Sequence, residues 1–262
     1  MEENGQFQRI QKFLSARGIC SRRSGEKAIR EGRVTVNGQF ATIGQLINPH
    51  VDTVAFDGEM VCLRAHQKFI LLALHKPRGY VCTHCDPHCS AADTIYSLLP
   101  AYGEVKLICC GRLDKDSEGL VLLTNDGDLA AKLLHPSSCI AKHYMVEIHI
   151  PLQECHRKAL LNGVESSGDT LRAAHVAYIT DGRRRLHIIL HEGRKRHIRR
   201  MLECFGYRIG RLVRFRIGLF DLDKIPLGHY RRLDESHLKK LLVRDKKFDD
   251  SLSECRMIKE CE

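Results

Sequence analysis

The sequence predicts an α+β protein in two parts, a small N-terminal unit and a larger domain with a mostly antiparallel mixed sheet flanked by helices. A chain of 262 residues is long enough for two domains. Short apolar stretches outnumber segments with helical periodicity, and the short connections between them favour antiparallel pairing. We place the small unit at residues 8–62, a linker at 63–68, the larger domain at 69–240 and a charged tail at 241–262.

The small unit is predicted to contain two basic helices followed by short strands. RIQKFLSARG has its apolar residues on one helical stripe, and Gly18 can end that helix. SRRSGEKAIREG is typical of a second helix, with Ser24 as its N-terminal cap and Gly32 at its end. RVTVNGQ runs into Asn37-Gly38, a strong hairpin signal, and TVAFDGEMV adds another short strand and turn.

The larger domain is predicted to alternate strands with a few helices. Strands are expected in FILLAL, HKPRGYVCT, VKLICC, GLVLLT, HYMVEIHI, LRAAHVAYI and RLHIILHE. Helices are expected in TIYSLL, in GDLAAKLL, which His135-Pro136 ends, and in RKRHIRRMLECFG. The charged tail is either an appended helix or partly disordered.

The composition is that of a folded soluble protein, with 43% hydrophobic and 28% charged residues. The longest clean apolar run, Phe69 to Leu74, is much shorter than the roughly 20 residues that span a bilayer. The acidic N-terminus also lacks the basic start and apolar core of a signal peptide. We therefore expect a cytoplasmic protein with no membrane partner, whose twelve cysteines are reduced thiols.

The positive charge is concentrated in two segments. Between Arg9 and Arg33 there are eight Lys or Arg residues against two acids, and between Arg183 and Arg216 there are twelve against two. The formal net charge is +10, so the rest of the chain carries a net negative charge. Two basic segments of this kind indicate two nucleic-acid contacts, with solvated surface charge as the alternative.

One acidic and one basic segment carry the candidate chemistry. Asp114 of GRLDKDSEGLVLLT lies in a loop before an apolar strand, where catalytic residues are common, although an Asp there can also cap a turn. In HEGRKRHIRRM, Arg196, Arg199 and Arg200 cannot share one helical face, so at least one can turn towards the sheet. A half-buried arginine needs an anionic partner, and Asp114 would suit as an ionised, oriented nucleophile. Surface charge alone is the alternative explanation of the basic run.

Two further features allow alternative interpretations. Tyr144 of AKHYMVEI enters a strand, where it either packs in the sheet or stacks on a nucleobase and uses its hydroxyl in proton transfer. Cys82-x-x-Cys85 has half the spacing of a zinc site, but the sequence offers no second pair of ligands at the expected spacing. We therefore expect no metal site.

The motifs resemble those of known families. RIQKFLSARGICSRRSGEKAIREGRVTVNGQ resembles the S-four RNA-binding domain, which presents a basic helical surface to structured RNA. HKPRGYVCT, GRLDKDSEGLVLLTNDGDLAAKLLHP, KHYMVEI and EGRKRHIRRMLECFGYRIGRLVRFRIG resemble the RsuA family of rRNA pseudouridine synthases, which carry an S-four domain in front of the catalytic domain. The resemblance spans about residues 8–232 and implies an S-four-like domain followed by a pseudouridine synthase domain.

The resemblance also implies roles for particular residues. Asp114 would attack the target uridine, Tyr144 would pack against the flipped base and take part in proton removal, and Arg199 would pair with Asp114. Arg112 and the acid-rich turn would hold the catalytic loop in shape. RNA contacts are expected from ten basic residues: Arg9, Lys12, Arg22, Arg23, Lys27, Arg33, Arg112, Arg194, Arg196 and Arg200.

Taken together, the sequence predicts a site-specific isomerase of uridine in rRNA, with large-subunit rRNA favoured by the segment from KRHIRRM to CFGY. The isomerisation is redox-neutral and transfers no group, so we expect no cofactor. The expected partner is rRNA, free or in an assembling subunit, and the expected state is a monomer. A non-catalytic RNA-binding assembly factor and a protein-interaction module are the alternatives.

One loop departs from the family pattern. In THCDPHCSAADTIYSLLP, the residues His88 to Ala91 stand where a Gly-Arg-like pair usually precedes the helix. The loss of that arginine weakens the case for an RNA contact in this loop.

Overall fold

Two compact units divide the chain between Phe69 and Ile70. The computed structural model describes residues 7–61, 68–83, 90–103, 105–222 and 224–243. The predicted linker, apart from Lys68, and most of the predicted tail lie outside these residues. Within them, no helix is both long and apolar enough to cross a membrane.

The first unit packs two helices and short antiparallel strands around one apolar core. The elements are β1 (Gln8–Arg9), α1 (Ile10–Ala16), α2 (Arg22–Arg30), β2 (Val34–Val36), β3 (Gln39–Phe40), β4 (Leu46–Ile47), β5 (Val54–Phe56) and β6 (Glu59–Met60). The strands form a four-stranded sheet in the order β3-β2-β5-β6 and a separate pair, β1 with β4.

The two predicted helices of this unit are confirmed, but one predicted cap is wrong. Helix α2 begins at Arg22, and Ser21 is its cap, because the Oγ atom of Ser21 accepts the backbone N–H of Ser24 at 3.1 Å. Ser21 has the extended backbone that a cap requires, whereas Ser24, predicted as the cap, is already helical. The Asn37-Gly38 hairpin is confirmed, and both residues have the positive φ angles (51° and 80°) that its tight turn needs.

The second unit is built on a nine-stranded sheet. Its strands are β7 (Leu71–Lys76), β8 (Ile108–Cys109), β9 (Glu118–Thr124), β10 (Lys142–Ile148), β13 (His175–Tyr178), β14 (Arg185–Leu190), β15 (Ile209–Ile217), β16 (Phe220–Asp221) and β17 (Tyr230–Arg232). The strand order is β13-β14-β10-β15-β9-β7-β17, with β16 paired to β15 and β8 paired to β9. A separate hairpin joins β11 (Val164–Ser166) to β12 (Asp169–Leu171). The helices are α3 (Gly127–Leu134), α4 (Glu154–Asn162), α5 (His197–Glu203) and α6 (Glu235–Leu241).

The sheet buries apolar side chains on both faces. Leu72 and Leu74 of β7 face one core with side chains from α4 and α5, whereas Leu71 and Ala73 face a second core with side chains from α3 and α6. Every residue of β7 and of β9 is therefore buried. Burial on both faces explains why these strands have continuous apolar runs instead of alternating patterns.

Several predictions for this unit are confirmed and others are wrong. The mostly antiparallel mixed sheet is confirmed, as is α3, which ends at Leu134 before His135-Pro136. TIYSLL forms only a short 3-10 turn, Ile95–Leu98, and α5 begins at His197, so the basic residues before it belong to a loop. Helix α4 and strand β15 were not predicted. The arginines that alternate with apolar residues in RLVRFRIG suggest an exposed face, yet β15 lies inside the sheet.

The parallel contact between β9 and β15 depends on a glycine. Gly119 lies opposite Arg214, and its φ angle is +118°. A Cβ atom on Gly119 would lie 2.3 Å from the carbonyl oxygen of Arg214 and 2.6 Å from its nitrogen. Because both close atoms belong to the backbone of a central strand, they cannot move aside cheaply.

Substitution of Gly119 is therefore expected to damage the second unit. Gly119→Ala should lower the free energy of unfolding by about 3 kcal/mol or more, because a clash and a strained φ angle act together. Urea unfolding followed by circular dichroism measures this change. Gly182→Ala is the matched control, since its Cβ would meet no atom within 4 Å, and it should stay within about 0.5 kcal/mol of wild type. Equal stability of the two variants would contradict the proposed role of the β9–β15 contact.

Candidate active site

The loop that carries Asp114 lies between β8 and β9, as predicted. Its end is a turn in which the N–H of Ser117 donates to the carbonyl oxygen of Asp114 at 3.1 Å. The side chain of Asp114 is half-buried, with 32% of its surface exposed. A carboxylate on a short, anchored loop at the edge of a buried sheet is restricted in position but accessible to a ligand.

A buried lysine anchors this loop. Lys76, the last residue of β7, has no exposed surface. Its Nζ atom donates to the carbonyl oxygens of Ser117 at 2.6 Å, Pro77 at 3.0 Å and Lys115 at 3.4 Å. Burial lowers the pKa of Lys76 to about 8, although the nearby acidic side chains of Cys82, Asp116 and Asp114 oppose this shift.

Arg199 of α5 forms the predicted contact with the loop. Its Nε atom lies 3.7 Å from Oδ2 of Asp114, which is an ion pair beyond hydrogen-bonding distance. Its Nη2 atom lies 3.2 Å from Oδ2 of Asp116 and donates to Oγ of Ser117 at 3.1 Å. The Arg199 side chain is only 8% exposed, so this buried cation joins α5 to the loop. Arg199 therefore forms ion pairs with two carboxylates of the loop, those of Asp114 and Asp116.

Arg112 does not hold the loop in shape, contrary to the prediction. Its side chain is exposed, and it forms no hydrogen bond or ion pair with the residues that the structure describes. Lys76 and Arg199 hold the loop instead, because a buried cation surrounded by carbonyl and carboxylate oxygens fixes the backbone more firmly than an exposed one. Arg112 lies at the wall of the neighbouring cavity.

A cavity of about 570 Å³ brings the predicted catalytic residues together. Asp114, Tyr144 and Arg199 all line it, and its volume is within the range of small-molecule sites. Tyr144 is 7% exposed and packs in the core on the cavity side of the sheet. The wall therefore offers a carboxylate, an aromatic side chain and cationic groups within one enclosure.

Three cationic residues near the cavity were missed by the sequence reasoning. Lys76 lies at the end of the apolar run LLALHK, where the sequence pattern assigned it no role. Lys142 donates to the carbonyl oxygens of Ile140 and His191, each at 3.3 Å, and burial together with the charge of Arg214 lowers its pKa to about 8. Arg214 is only 2% exposed. The sequence feature that could have identified these three residues is a basic residue inside or next to an apolar strand.

Two cysteines form part of the cavity wall. The backbone N–H of Leu113 donates to Sγ of Cys82 at 3.5 Å, and Sγ of Cys109 donates to the carbonyl oxygen of Gly111 at 3.1 Å. The neighbouring Cys109 thiol, the N–H of Leu113 and the charges of Lys76 and Arg214 together lower the pKa of Cys82. No group of potential metal ligands is found in the described part of the chain, and Cys85 lies outside it.

The predicted RNA-binding residues of the second unit differ in their surroundings. Arg194 and Arg196 line the cavity, where Arg194 pairs with Asp169 and Arg196 pairs with Glu203. Arg200 donates to Asp169 at 2.9 Å and also to Ser166, which ties α5 to the β11–β12 hairpin. Their RNA contacts remain predictions.

The predicted RNA-binding residues of the first unit are mostly exposed. Arg33 donates to the carboxylate of Asp57 and lies over the ring of Phe56. Lys12 is half-buried. The remaining four are exposed side chains of β1 and α2, namely Arg9, Arg22, Arg23 and Lys27.

Residues 70–204 match the RNA pseudouridylate synthase family, and residues 8–51 match the S4 domain, which is the S-four domain that the N-terminal motif resembles. The chain belongs to the RNA pseudouridylate synthase family. The family match covers the loop that carries Asp114, Tyr144 and α5. The similarity to the RsuA branch, inferred from motifs, is confirmed by relatives that include a ribosomal large subunit pseudouridine synthase B and RluF.

Two relatives of this synthase illustrate the similarity. It is 36% identical to ribosomal large subunit pseudouridine synthase B of Vibrio vulnificus over 244 residues, which are 90% of this chain and 75% of that protein. It is 37% identical to the dual-specificity RNA pseudouridine synthase RluF of Escherichia coli over 230 residues, 88% of this chain and 77% of that protein. A solved structure, described as a crystal structure of pseudouridylate synthase, superposes with a TM-score of 0.62 at 29% identity and covers 89% of this chain and 99% of that one.

The lowered pKa of Lys76 makes the stability of this synthase depend on pH. Between about pH 8 and the ordinary lysine value of 10.5, the unfolded chain keeps this proton and the folded chain releases it, so stability rises with pH. The free energy of unfolding of wild type relative to Lys76→Met should stay constant below about pH 7. Above about pH 8 the difference should grow in favour of wild type, by up to about 3 kcal/mol.

Urea unfolding at several pH values tests this expectation. Lys239→Met is the matched control, because the Lys239 side chain is 79% exposed, and its difference from wild type should not change with pH. A constant difference between wild type and Lys76→Met up to about pH 10 would show that the folded chain does not lower the Lys76 pKa.

Proposed function

We propose that this synthase isomerises a specific uridine of rRNA to pseudouridine, with Asp114 as the nucleophile. The observation that carries the proposal is the ion pair of Asp114 with buried Arg199 in a cavity that Tyr144 also lines. Membership of the pseudouridylate synthase family supplies the reaction, and the geometry supplies suitable positions for the groups that the reaction needs.

In the proposed reaction, Asp114 attacks the target uridine. Arg199 lies beside this carboxylate without a direct hydrogen bond from Nε to Oδ2, since the distance between these atoms is 3.7 Å. Asp114 bonds to C1′ of the ribose as the bond from C1′ to N1 of the base breaks. The base then rotates, and its C5 bonds to C1′ and displaces the Asp114 carboxylate. Tyr144 packs against the base, and its hydroxyl takes part in removing the proton from that carbon.

The target uridine must leave its stack in folded RNA before it reaches the cavity. Unstacking costs a few kcal/mol, which contacts between the protein and the flanking RNA must offset. We propose that the exposed basic residues of the first unit and those around the cavity mouth supply these contacts through phosphate groups.

We propose large-subunit rRNA as the substrate, either free or within an assembling subunit. The name of the Vibrio vulnificus relative refers to the large ribosomal subunit, and that relative matches most of the chain. We further propose that the synthase acts in the cytoplasm as a monomer.

Mapping of pseudouridines in rRNA tests the function. Cells that lack the gene should lose pseudouridine at one site, and complementation with wild type should restore it. Asp114→Ala and Asp114→Asn should not restore it, because neither side chain is a carboxylate nucleophile. Carbodiimide adducts that stop primer extension locate each modified position.

The matched control is Asp128→Asn, which changes an exposed carboxylate of α3 and should restore the modification. An identical pseudouridine map in all strains would exclude the rRNA synthase and favour an RNA-binding assembly factor. If deletion of the gene removes a pseudouridine and complementation with Asp114→Ala restores it, Asp114 is not the nucleophile.

Tyr144→Phe separates the ring of Tyr144 from its hydroxyl. The ring still fills the core and, in the described residues, the hydroxyl has no hydrogen-bond partner, so stability should stay within about 0.5 kcal/mol of wild type. Product formation should fall by about 100-fold, because the hydroxyl is expected to assist proton removal. Single-turnover rates on an rRNA fragment measure this change, and an unchanged rate would restrict Tyr144 to packing.

A further inference from the structure

Arg214 is a buried cation whose hydrogen-bonding capacity is not fully used. Only 2% of the residue is exposed, and its Nε atom donates to the carbonyl oxygen of Leu120 at 2.8 Å. Its Nη2 atom is buried and has no hydrogen-bond partner in the described part of the chain. A buried guanidinium N–H without an acceptor is energetically unfavourable, so a ligand that accepts this bond is favoured.

The sheet places Arg214 beside the residue that is proposed to hold the base. Arg214 on β15 lies directly opposite Tyr144 on β10 and opposite Gly119 on β9. Cross-strand partners on one face of a sheet have Cβ atoms about 5 Å apart. Both Arg214 and Tyr144 line the cavity. A planar base against Tyr144 is therefore within reach of the Arg214 side chain.

The charge of Arg214 remains available to a ligand. Among the described residues no carboxylate forms an ion pair with it, whereas Arg199 pairs with Asp114 and Asp116. Arg214 contributes to the lowered pKa values of Lys142 and Cys82, so its positive field reaches the cavity wall. In a buried site this field acts more strongly than it would in water.

We propose that Nη2 of Arg214 donates to a carbonyl oxygen of the target uracil and stabilises the negative charge that the base acquires when it detaches. The inference rests on the proposed function. When the bond from C1′ to N1 breaks, its electron pair moves onto the base and spreads to O2 and O4. The charge disappears once C5 bonds to C1′, the C5 proton leaves and N1 gains a proton.

A contact that strengthens as charge develops accelerates the reaction more than it strengthens binding. Arg214 meets this condition, because its guanidinium is fixed by Leu120 and needs no rearrangement when the base becomes an anion. A phosphate is the other anionic group of the substrate. The exposed Arg112 and Arg194 and the half-buried Arg196 are better placed for phosphates, whereas Arg214 adjoins Tyr144.

The test uses the full-length protein and a fragment of rRNA that contains the uridine identified by mapping. Arg214→Met, which keeps an unbranched apolar stem but removes the guanidinium and its charge, should reduce the single-turnover rate constant by about 100-fold. RNA affinity should change by less than about threefold, and Arg214→Lys should recover part of the rate. Arg231→Met removes an exposed arginine of β17 and should react like wild type.

Sulfur substitution in the substrate distinguishes a direct contact from a structural role. The target uridine is replaced by 2-thiouridine or by 4-thiouridine, because sulfur accepts hydrogen bonds more weakly than oxygen. At the oxygen that Arg214 contacts, the sulfur should slow wild type and Arg231→Met about tenfold more than it slows Arg214→Met. If Arg214→Met does not fold, the same comparison is made with Arg214→Lys.

If sulfur substitution slows wild type and the Arg214 variant by the same factor, Arg214 does not contact that atom and has only a structural role. This result would overturn the proposal. A loss of RNA affinity that accounts for the whole loss of rate would point to a phosphate contact and would also overturn it. Failure of wild type to convert any rRNA uridine would be a failure of the proposed function, which the wild-type reaction reveals before any variant is compared.

Discussion

The parallel contact between β9 and β15 is the constraint on which the site depends. It joins β7, β9 and β17 to β10, β13, β14 and β15 through two register positions, Val213 opposite Glu118 and Arg214 opposite Gly119. Asp114 precedes β9, whereas Tyr144 and Arg214 lie on the strands across this junction. Because Gly119 has no side chain, the two backbones approach closely enough for these residues to line one cavity.

Buried cations give the cavity its chemical character. Lys76 donates to backbone carbonyls, Arg199 pairs with Asp114 and Asp116, and Arg214 keeps a donor without a partner in the described residues. Carbonyl dipoles offset the cost of burial but leave the net positive charge in place. The same arrangement therefore fixes the carboxylate that we propose as the nucleophile and suits the anionic base of the proposed reaction.

Local physical rules made much of the molecule predictable. The Asn37-Gly38 hairpin and the end of α3 follow from backbone preferences of a few neighbouring residues. Helical spacing predicted that at least one arginine of the basic run can turn inward towards an anion such as Asp114, and the family resemblance identified that arginine as Arg199. The start of α2 was misplaced by one helical turn, since several serines in SRRSG can serve as caps and only the backbone path selects Ser21.

The sequence by itself determined the family, the two-unit order, the nucleophile candidate and its arginine partner, because these depend on motifs and on short-range geometry. The tertiary structure decided which basic residues are buried. Arg112 is exposed, whereas Lys76 and Arg214 lie inside the protein, although all three are basic residues beside apolar segments. Burial depends on which strands become neighbours, and β15 becomes an interior strand only through its pairing with β9 and β10. A contact between residues nearly 100 positions apart is set by the packing of the whole sheet, which no local pattern encodes.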